Sequence, residues 1–397
     1  MKSPIVSFVI PTFNRSQYCI SLIKSIEYIT GEFEVIISDN SSDKFLLNYI
    51  NNNQIDKRIV YKYTSKKLNM TENLNRAISF SRGYYVCCIG DDDTIMPNCI
   101  YYLNEFKKKR IDIISPKITI NYCWPDFSSK YFKKAHQSRL YYRFSNPYLI
   151  RKSSIESYQN ALKNCFQGTE NLPKLYHGFV KREFLENIYS KTGQYLFGSS
   201  PDVSAAVLVS HNTKYYFETN IPMTIPGASS ASNTGRAANK SHFGKLEDES
   251  QTKDFIKTWP KLLPKIFTVE TVWAHSAIHS LNAINSSISH FNYLNLYAII
   301  IVNNKGSFKY IKEYVTDLNT KNIFCFLYYL IYQLFKKQIS FFKRILIPTA
   351  AGGKSFFSNT INLEEAIVNV GKIKSFKNFN KKTCTTLIKH TDNLDFS

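Results

Sequence analysis

An α/β fold built on a mostly parallel, helix-flanked sheet is what the sequence predicts, on three observations. Short apolar runs alternate with helix-length amphipathic runs over the first hundred residues. Each apolar run ends in a cluster of polar residues. The chain has 397 residues, 44% of them hydrophobic, so it can bury a large core and a second, smaller body.

The elements follow in order. Val6-Ser7-Phe8-Val9-Ile10 is a short apolar strand closed by Pro11-Thr12-Phe13-Asn14-Arg15, and residues 18–28 form an amphipathic helix. A second strand, 33–38, ends at Asp39-Asn40-Ser41-Ser42-Asp43, and a helical pattern at 45–50 leads to a third strand at 59–63. Residues 70–81 read as helix and 84–89 as a buried strand that runs into Gly90-Asp91-Asp92-Asp93. In sheets of this kind ligands collect at the carboxyl ends of the strands, where every one of these polar clusters lies.

The segment 111–245 is less regular. It holds a strand-like stretch at 111–120, an aromatic and basic stretch at 131–148 and a helical stretch at 153–165. Residues 226–239 are rich in Gly, Ser, Ala and Asn with no apolar periodicity, which reads either as a mobile lid or as an ordinary surface loop. From Glu249 onward the pattern is mainly helical. Residues 323–335 are almost wholly apolar and aromatic, but a bilayer span takes about 20 residues. Lys336, Lys337, Lys343 and Arg344 follow, interleaved with Phe341, Phe342, Ile345 and Leu346. That pattern is either a helix lying in a membrane interface or a core helix with a solvated end. The expected division is a domain at 1–245, made of halves at 1–110 and 111–245, then a helical, basic region at 246–397.

Charge narrows the partners. Lys and Arg number 51 against 30 Asp and Glu, a net +21, which favours anionic partners: nucleic acid, anionic lipid or phosphorylated substrates. No zinc-ligand spacing or RNA-binding signature is present, so nucleic acid is not the expected one. The eight cysteines form no Cys-x-x-Cys pair and several sit in apolar runs, as in a reducing compartment. The first apolar run, 5–10, is short and stops at Pro11, so no signal peptide is read and a cytoplasmic location is expected.

The acidic triplet is the sharpest feature. Three adjacent carboxylates directly after a buried strand repel one another, so a positive group must sit among them. A divalent cation held by one or two carboxylates plus substrate phosphates is the natural partner. If strand geometry continued, Asp91 and Asp93 would share a side and Asp92 would oppose them. The remaining signals are individually weak: Pro11 to Arg15 as a turn, Asp39 as a helix cap, and Asn69 and Asn73, which one helical turn brings to the same side. Their ordered placement at successive strand or loop ends is the stronger signal.

Together the segments 6–15, Val35-Ile36-Ile37-Ser38-Asp39-Asn40-Ser41-Ser42-Asp43 and Gly90-Asp91-Asp92-Asp93 resemble the family 2 glycosyltransferases of the GT-A fold, over roughly the first 110 residues. The resemblance implies that Pro11, Thr12, Asn14 and Arg15 line a nucleotide pocket and that Asp39 contacts base or ribose; Asn69 and Asn73 are counted with the same pocket. It implies that Asp91 to Asp93 form the Asp-x-Asp motif, with Asp93 the main ligand of Mg2+ or Mn2+ and Asp91 nearer ribose and phosphate. Such enzymes invert the anomeric centre and need a carboxylate base about a hundred residues further on. Ser199-Ser200-Pro201-Asp202-Val203-Ser204-Ala205-Ala206 is similar to that segment, with Pro-Asp in place of Glu-Asp, and makes Asp202 the candidate base; an acid beside proline at a helix start is also plain capping chemistry.

His177 and His242 either reach the acceptor or diphosphate or serve the fold. Ser229, Ser232, Asn233 and Arg236 fit a lid over the donor, with Arg236 available to phosphate. The expected activity is inverting, metal-dependent transfer of a hexosyl group from a nucleotide-diphosphate sugar, a UDP-sugar, to a hydroxyl of a glycan or lipid-linked acceptor. Bacterial surface polysaccharide (capsule, O-antigen) is the expected setting, with the enzyme peripheral on the inner membrane surface. A sugar nucleotidyltransferase would carry a glycine-rich loop after strand one, which Pro11 to Arg15 lacks. A non-catalytic glycan- or nucleic-acid-binding protein is the alternative from another class. The Gln-x-x-Arg-Trp motif of processive synthases is not found at Trp124, Trp259 or Trp273.

Overall fold

A computed structural model describes residues 3–169, 171–239, 242–316, 318–346 and 352–389, with the side chains of 344, 345 and 384–389 left out; of the basic C-terminal run, Arg344 and Ile345 therefore lie outside the described side chains. Sixteen strands occur among these residues: β1 (Val6–Thr12), β2 (Phe33–Asp39), β3 (Ile59–Tyr63), β4 (Tyr85–Cys88), β5 (Thr94–Ile95), β6 (Ile113–Pro116), β7 (Ile120–Cys123), β8 (Arg139–Tyr142), β9 (Leu149–Ser153), β10 (Phe179–Lys181), β11 (Tyr215–Thr219), β12 (Thr224–Ile225), β13 (Gly227–Ala228), β14 (Phe243–Gly244), β15 (Phe267–Thr268) and β16 (Ser355–Phe357). Eight form the central sheet in the order 3-2-1-4-10-6-11-9, and all but β10 and β9 run in one direction. The α/β class read from the sequence is the one observed.

Alternation along the central strands explains why the sheet is covered on both faces. Val6, Phe8 and Ile10 of β1, Val35 and Ile37 of β2, and Tyr85 and Cys87 of β4 face one core, which the helices Ser16–Ser25 and Cys99–Lys108 close. Val9, Ile36, Val86 and Cys88 face the opposite core, closed by Met70–Ser79, Arg182–Thr192 and Pro201–His211. Strands buried on both faces read as near-continuous apolar runs, which is why β1, β2 and β4 were legible.

The helix Pro201–His211 is buried along almost its whole length because it separates two cores. Ala205, Leu208 and Val209 face the sheet, while Val203, Ala206 and Val207 face a third cluster built by Val269–Ala283 and Tyr293–Asn303. The region after residue 246 is helical as expected, yet its last part returns to the sheet. β16 pairs with β8, and Leu363, Ala366, Ile367 and Val370 of the helix Leu363–Lys372 enter the same core as Val6 and Phe8.

Two expected elements differ. The single strand at 111–120 is two, β6 in the central sheet and β7 in a four-stranded sheet with β13, β8 and β16; Pro116, which has no N–H for a ladder, is the last paired residue of β6. Residues 226–239 are not featureless: β13 pairs with β7, and Ser232 caps a short helix, Asn233–Ala238, by accepting from the Gly235 N–H.

Gly83 brings the turn before β4 against the backbone of β1. A Cβ there would lie 2.4 Å from Ser7 N and 2.6 Å from Val6 C. The same turn meets the buried Glu34 carboxylate of β2, which accepts from Ser7 Oγ at 2.6 Å and from the Arg82 backbone N–H at 2.7 Å. Gly83→Ala is expected to cost about 2–3 kcal/mol, the upper end for overpacking against backbone. Urea unfolding measures it, and a change under about 0.5 kcal/mol, the size of an ordinary surface substitution, would contradict the close packing.

Candidate functional site

The carboxyl ends of β1, β2 and β4 meet at a cluster of three buried acids. β4 ends at Cys88 and the chain turns through Asp91 and Asp92, so the two-residue alternation of the strand does not continue. The expected alternation is therefore corrected: Asp91 and Asp92 converge on one guanidinium, and Asp93 has a different set of hydrogen-bond partners. Arg15 Nε donates to Asp91 Oδ1 at 2.7 Å, and its Nη2 lies 3.0 Å from Asp92 Oδ2. Thr12 Oγ1 donates to the second Asp91 oxygen at 2.7 Å. Ser229, from the segment after β13, donates to Asp92 Oδ2 at 2.5 Å and accepts from Arg15 Nη2 at 3.0 Å.

Asp93 is enclosed. Its Oδ1 accepts from the Gly227 N–H at 2.6 Å, and its Oδ2 from the Gly90 N–H at 2.6 Å and from the Tyr176 hydroxyl at 3.3 Å. His177 Nε2 is 3.3 Å from the same oxygen, while His177 Nδ1 pairs with Thr224 Oγ1 at 2.9 Å. Burial pushes His177 down to about 3, so it is neutral at pH 7 and adds no positive charge.

The electrostatics follow from these contacts. Burial is the largest influence on all three acids and raises each carboxyl; Asp93 is brought up to about 6, with the Gly227 and Gly90 N–H groups opposing the rise. Burial also works against the charge of Arg15, but Asp91 and Asp92 outweigh it and hold its proton more tightly than usual. Asp91 and Asp92 thus share one cation while Asp93 is met by N–H and O–H donors, and the cluster is short of positive charge. Among the described residues no three His, Cys, Asp or Glu side chains converge as a metal cage. Mg2+ does not require one, since it takes one or two carboxylates plus phosphate oxygens and water. The donor set and its charge deficit fit such a cation.

The other expected residues divide into those at the cluster and those holding the loops around it. Asn14 adopts φ 55°, which asparagine tolerates, and its Oδ1 accepts from Ser42 N–H at 2.9 Å, tying the loop after β1 to the loop after β2. Pro11 is half-buried in β1, opposite Ser38. Asp39 is fully buried; its oxygens accept from the Tyr61 hydroxyl at 2.6 Å and the Ser41 N–H at 2.8 Å. Asn69 caps the helix Met70–Ser79 in a capping box with Glu72. Asn73 Nδ2 donates to Ser38 O at 2.9 Å and Asn40 Oδ1 at 3.0 Å, a clamp on the end of β2. Arg236 pairs with Glu249 at 2.7 Å, and His242 packs edge-on to Phe267.

Asp202 stands in the first turn of Pro201–His211, and the Ser200 hydroxyl donates to its Oδ1. The preceding loop is fixed from both sides. Thr71 Oγ1 donates to Gly198 O at 2.6 Å, and the Ser200 N–H donates to Ser276 Oγ at 2.5 Å. The Tyr176 hydroxyl, hydrogen-bonded to Asp93, is pushed up by burial first and then by the charges of Asp93, Asp92, Asp91 and Asp202, although the residue as a whole is 37% exposed.

Tyr176, Trp124 and Gly227 carry no sequence signal of their own. Trp124 Nε1 donates to Asp92 O at 3.0 Å, and a Cβ on Gly227 would lie 1.8 Å from that same oxygen. His177 was visible only as a lone histidine beside a glycine. Gly227→Ala is expected to push the turn at Asp92 and Asp93 out of place and to cost about 2–3 kcal/mol. Thermal and urea unfolding read the cost, and a protein as stable as the parent would show that β13 does not press on the acidic turn.

Comparisons with known proteins place the cluster in a family. Residues 7–164 match the family described as Glycosyl transferase family 2. The abequosyltransferase RfbV of Salmonella typhimurium is 30% identical over 114 residues, 28% of this chain and 34% of that protein. The chondroitin synthase of Escherichia coli is 25% identical over 154 residues, 35% of this chain and 22% of that protein. The chain thus spans about a third or less of these relatives' length. A solved structure, S. aureus TarS 1-349 in complex with UDP-GlcNAc, is similar with a TM-score of 0.42 and 12% identity, covering 80% of this chain and 76% of that one. With Thr12, Arg15 and the acids Asp91 to Asp93 all inside the matched span, the chain carries a family 2 glycosyltransferase domain.

Proposed function

We propose that this protein is an inverting, metal-dependent glycosyltransferase that moves a hexosyl group from a UDP-sugar to a hydroxyl of a glycan or lipid-linked acceptor in bacterial surface-polysaccharide assembly, of the capsule or O-antigen kind. The single observation that carries the reading is the buried cluster of Asp91, Asp92 and Asp93 around Arg15 within the family-matched span. Its charge deficit favours a ligand that brings cations with it, as a metal-bound nucleoside diphosphate does.

In this reading Arg15 and Thr12 receive the diphosphate side of the donor, and Asp39 with Asn14, Asn69, Asn73 and Pro11 shape the nucleotide end. Mg2+ or Mn2+ would be held by Asp91 and Asp93, and when bound it stabilises the negative charge of the departing diphosphate. Asp92 is the acid that Ser229 and Arg15 keep engaged. Arg236 would turn from Glu249 to phosphate if 226–239 closes over the donor.

Asp202 is the proposed base. Ser200 occupies Oδ1, which leaves Oδ2 for the acceptor hydroxyl. The acceptor oxygen attacks the anomeric carbon, its proton passes to Asp202, and the bond to the diphosphate breaks with the electron pair leaving on phosphate oxygen. The fixed loop before Asp202 supports a positioned base, since proton transfer contributes only when the carboxylate is within hydrogen-bond reach. The proposed location is the cytoplasm, peripheral on the inner face of the membrane.

A panel of nucleotide-sugars, assayed with Mn2+ for release of the nucleoside diphosphate, tests the donor half. Turnover of at least one donor that stops with chelator and in Asp93→Ala is expected; turnover unchanged by either would remove the metal role. For the acceptor half, Asp202→Asn is expected to keep donor binding and lose transfer by roughly 10²–10⁴-fold. Full transfer by that variant would remove Asp202 as base.

A further inference from the structure

The helix Thr320–Leu346 is 27 residues long, about 40 Å at the rise of an α-helix, and only one of its faces is used by the fold. That face packs on Tyr293–Asn303: Phe326 is buried, Gln333 Nε2 donates to Asn295 Oδ1 at 2.8 Å, and Lys337 Nζ donates to Val302 O. The opposite face is apolar instead of polar. Phe324, Tyr328, Ile331, Phe335, Phe342 and Leu346 recur at helical spacing and are exposed, Ile331 to 67% and Leu346 to 80%. A solvent-facing helix surface of this kind marks an interaction site.

The charges identify the occupant. The helix carries five Lys and Arg residues and no Asp or Glu. At about 100° per residue, Lys321, Lys336 and Lys343 fall along one edge of the apolar strip, and all three are exposed. An apolar stripe edged by lysines is the composition of a helix lying in the plane of an anionic bilayer. No helix among the described residues is long and apolar enough to cross a membrane, so the strip would lie in the surface and not span it. A second copy paired on this face about a two-fold axis would bring Lys321, Lys336 and Lys343 towards the same three lysines of its partner, which like-charge repulsion opposes.

We propose that the outer face of Thr320–Leu346 docks the protein on an anionic lipid surface, with Phe324, Ile331 and Phe335 entering the acyl boundary and Lys321, Lys336 and Lys343 meeting the headgroups. This deepens the membrane part of the proposed function, but its test needs no sugar transfer, so the two can fail separately. The full chain is floated with vesicles of phosphatidylcholine alone or with about a third phosphatidylglycerol, lipids of zero and negative charge. Wild type is expected to float with the anionic vesicles at least tenfold more than with the neutral ones. Phe324→Ser/Ile331→Ser/Phe335→Ser and Lys321→Gln/Lys336→Gln/Lys343→Gln are each expected to lose that binding at least tenfold, with circular dichroism unchanged because the replaced side chains are exposed. Binding retained by the serine variant would show that net charge alone attracts the protein and would overturn the proposal. So would absence of binding by wild type, or a dimer in sedimentation that the serine variant abolishes, which would assign the face to a second copy.

Discussion

The guanidinium of Arg15 between Asp91 and Asp92 is the interaction on which the site depends. Burying a carboxylate without a partner costs several kcal/mol, and here three are buried side by side. One cation reduces that cost without removing it, so the surrounding chain supplies hydrogen bonds instead: Thr12 from β1, Ser229 after β13, and the backbone N–H groups of Gly90 and Gly227. These donors come from three separate stretches of chain. The acidic turn therefore pulls the ends of β1 and β4 and the segment after β13 to one point. Asn73 and Asn14 hold the neighbouring loops of β2 in register with it.

A second constraint fixes the proposed acceptor side. The helix Pro201–His211 is wedged between the sheet and the C-terminal helices, and its preceding loop is hydrogen-bonded to Thr71 on one side and Ser276 on the other. Ser199 Oγ also meets His275 Nδ1 at 2.9 Å, and the His275 ring stacks on Trp259 at 4.5 Å. A base must be held to within a fraction of an ångström to work, and rigid elements on both sides do this better than a free loop. The helix Val269–Ala283 thus helps to hold the loop before the proposed base.

Much of this was legible in the sequence because the physics involved is local. β3 runs from Ile59 to Tyr63 as the apolar pattern indicates, and the acidic triplet stands at the strand end where its neighbours predicted it. Most of the readings that differ turn on contacts between distant segments, and one on where a strand ends. The alternation assumed for Asp91 to Asp93 fails because β4 stops at Cys88 and a turn follows. The positive group the triplet required includes Arg15, 76 residues away in sequence, which no spacing rule pairs with it. Tyr176, Trp124 and Gly227 reach the acids only through tertiary packing. The mixed directions of β9 and β10, the split of β6 from β7, and the return of Leu363–Lys372 to the first core are likewise products of long-range assembly.

The account rests on the acid cluster and Arg15 acting together as the seat of a metal-bound diphosphate. Calorimetric titration of UDP with and without Mn2+ into wild type and Arg15→Met measures this directly. The account predicts binding to wild type that requires the cation and is weakened at least tenfold by the substitution, a loss of about 1.4 kcal/mol. Binding of equal strength without the cation, or to Arg15→Met as to wild type, would contradict it.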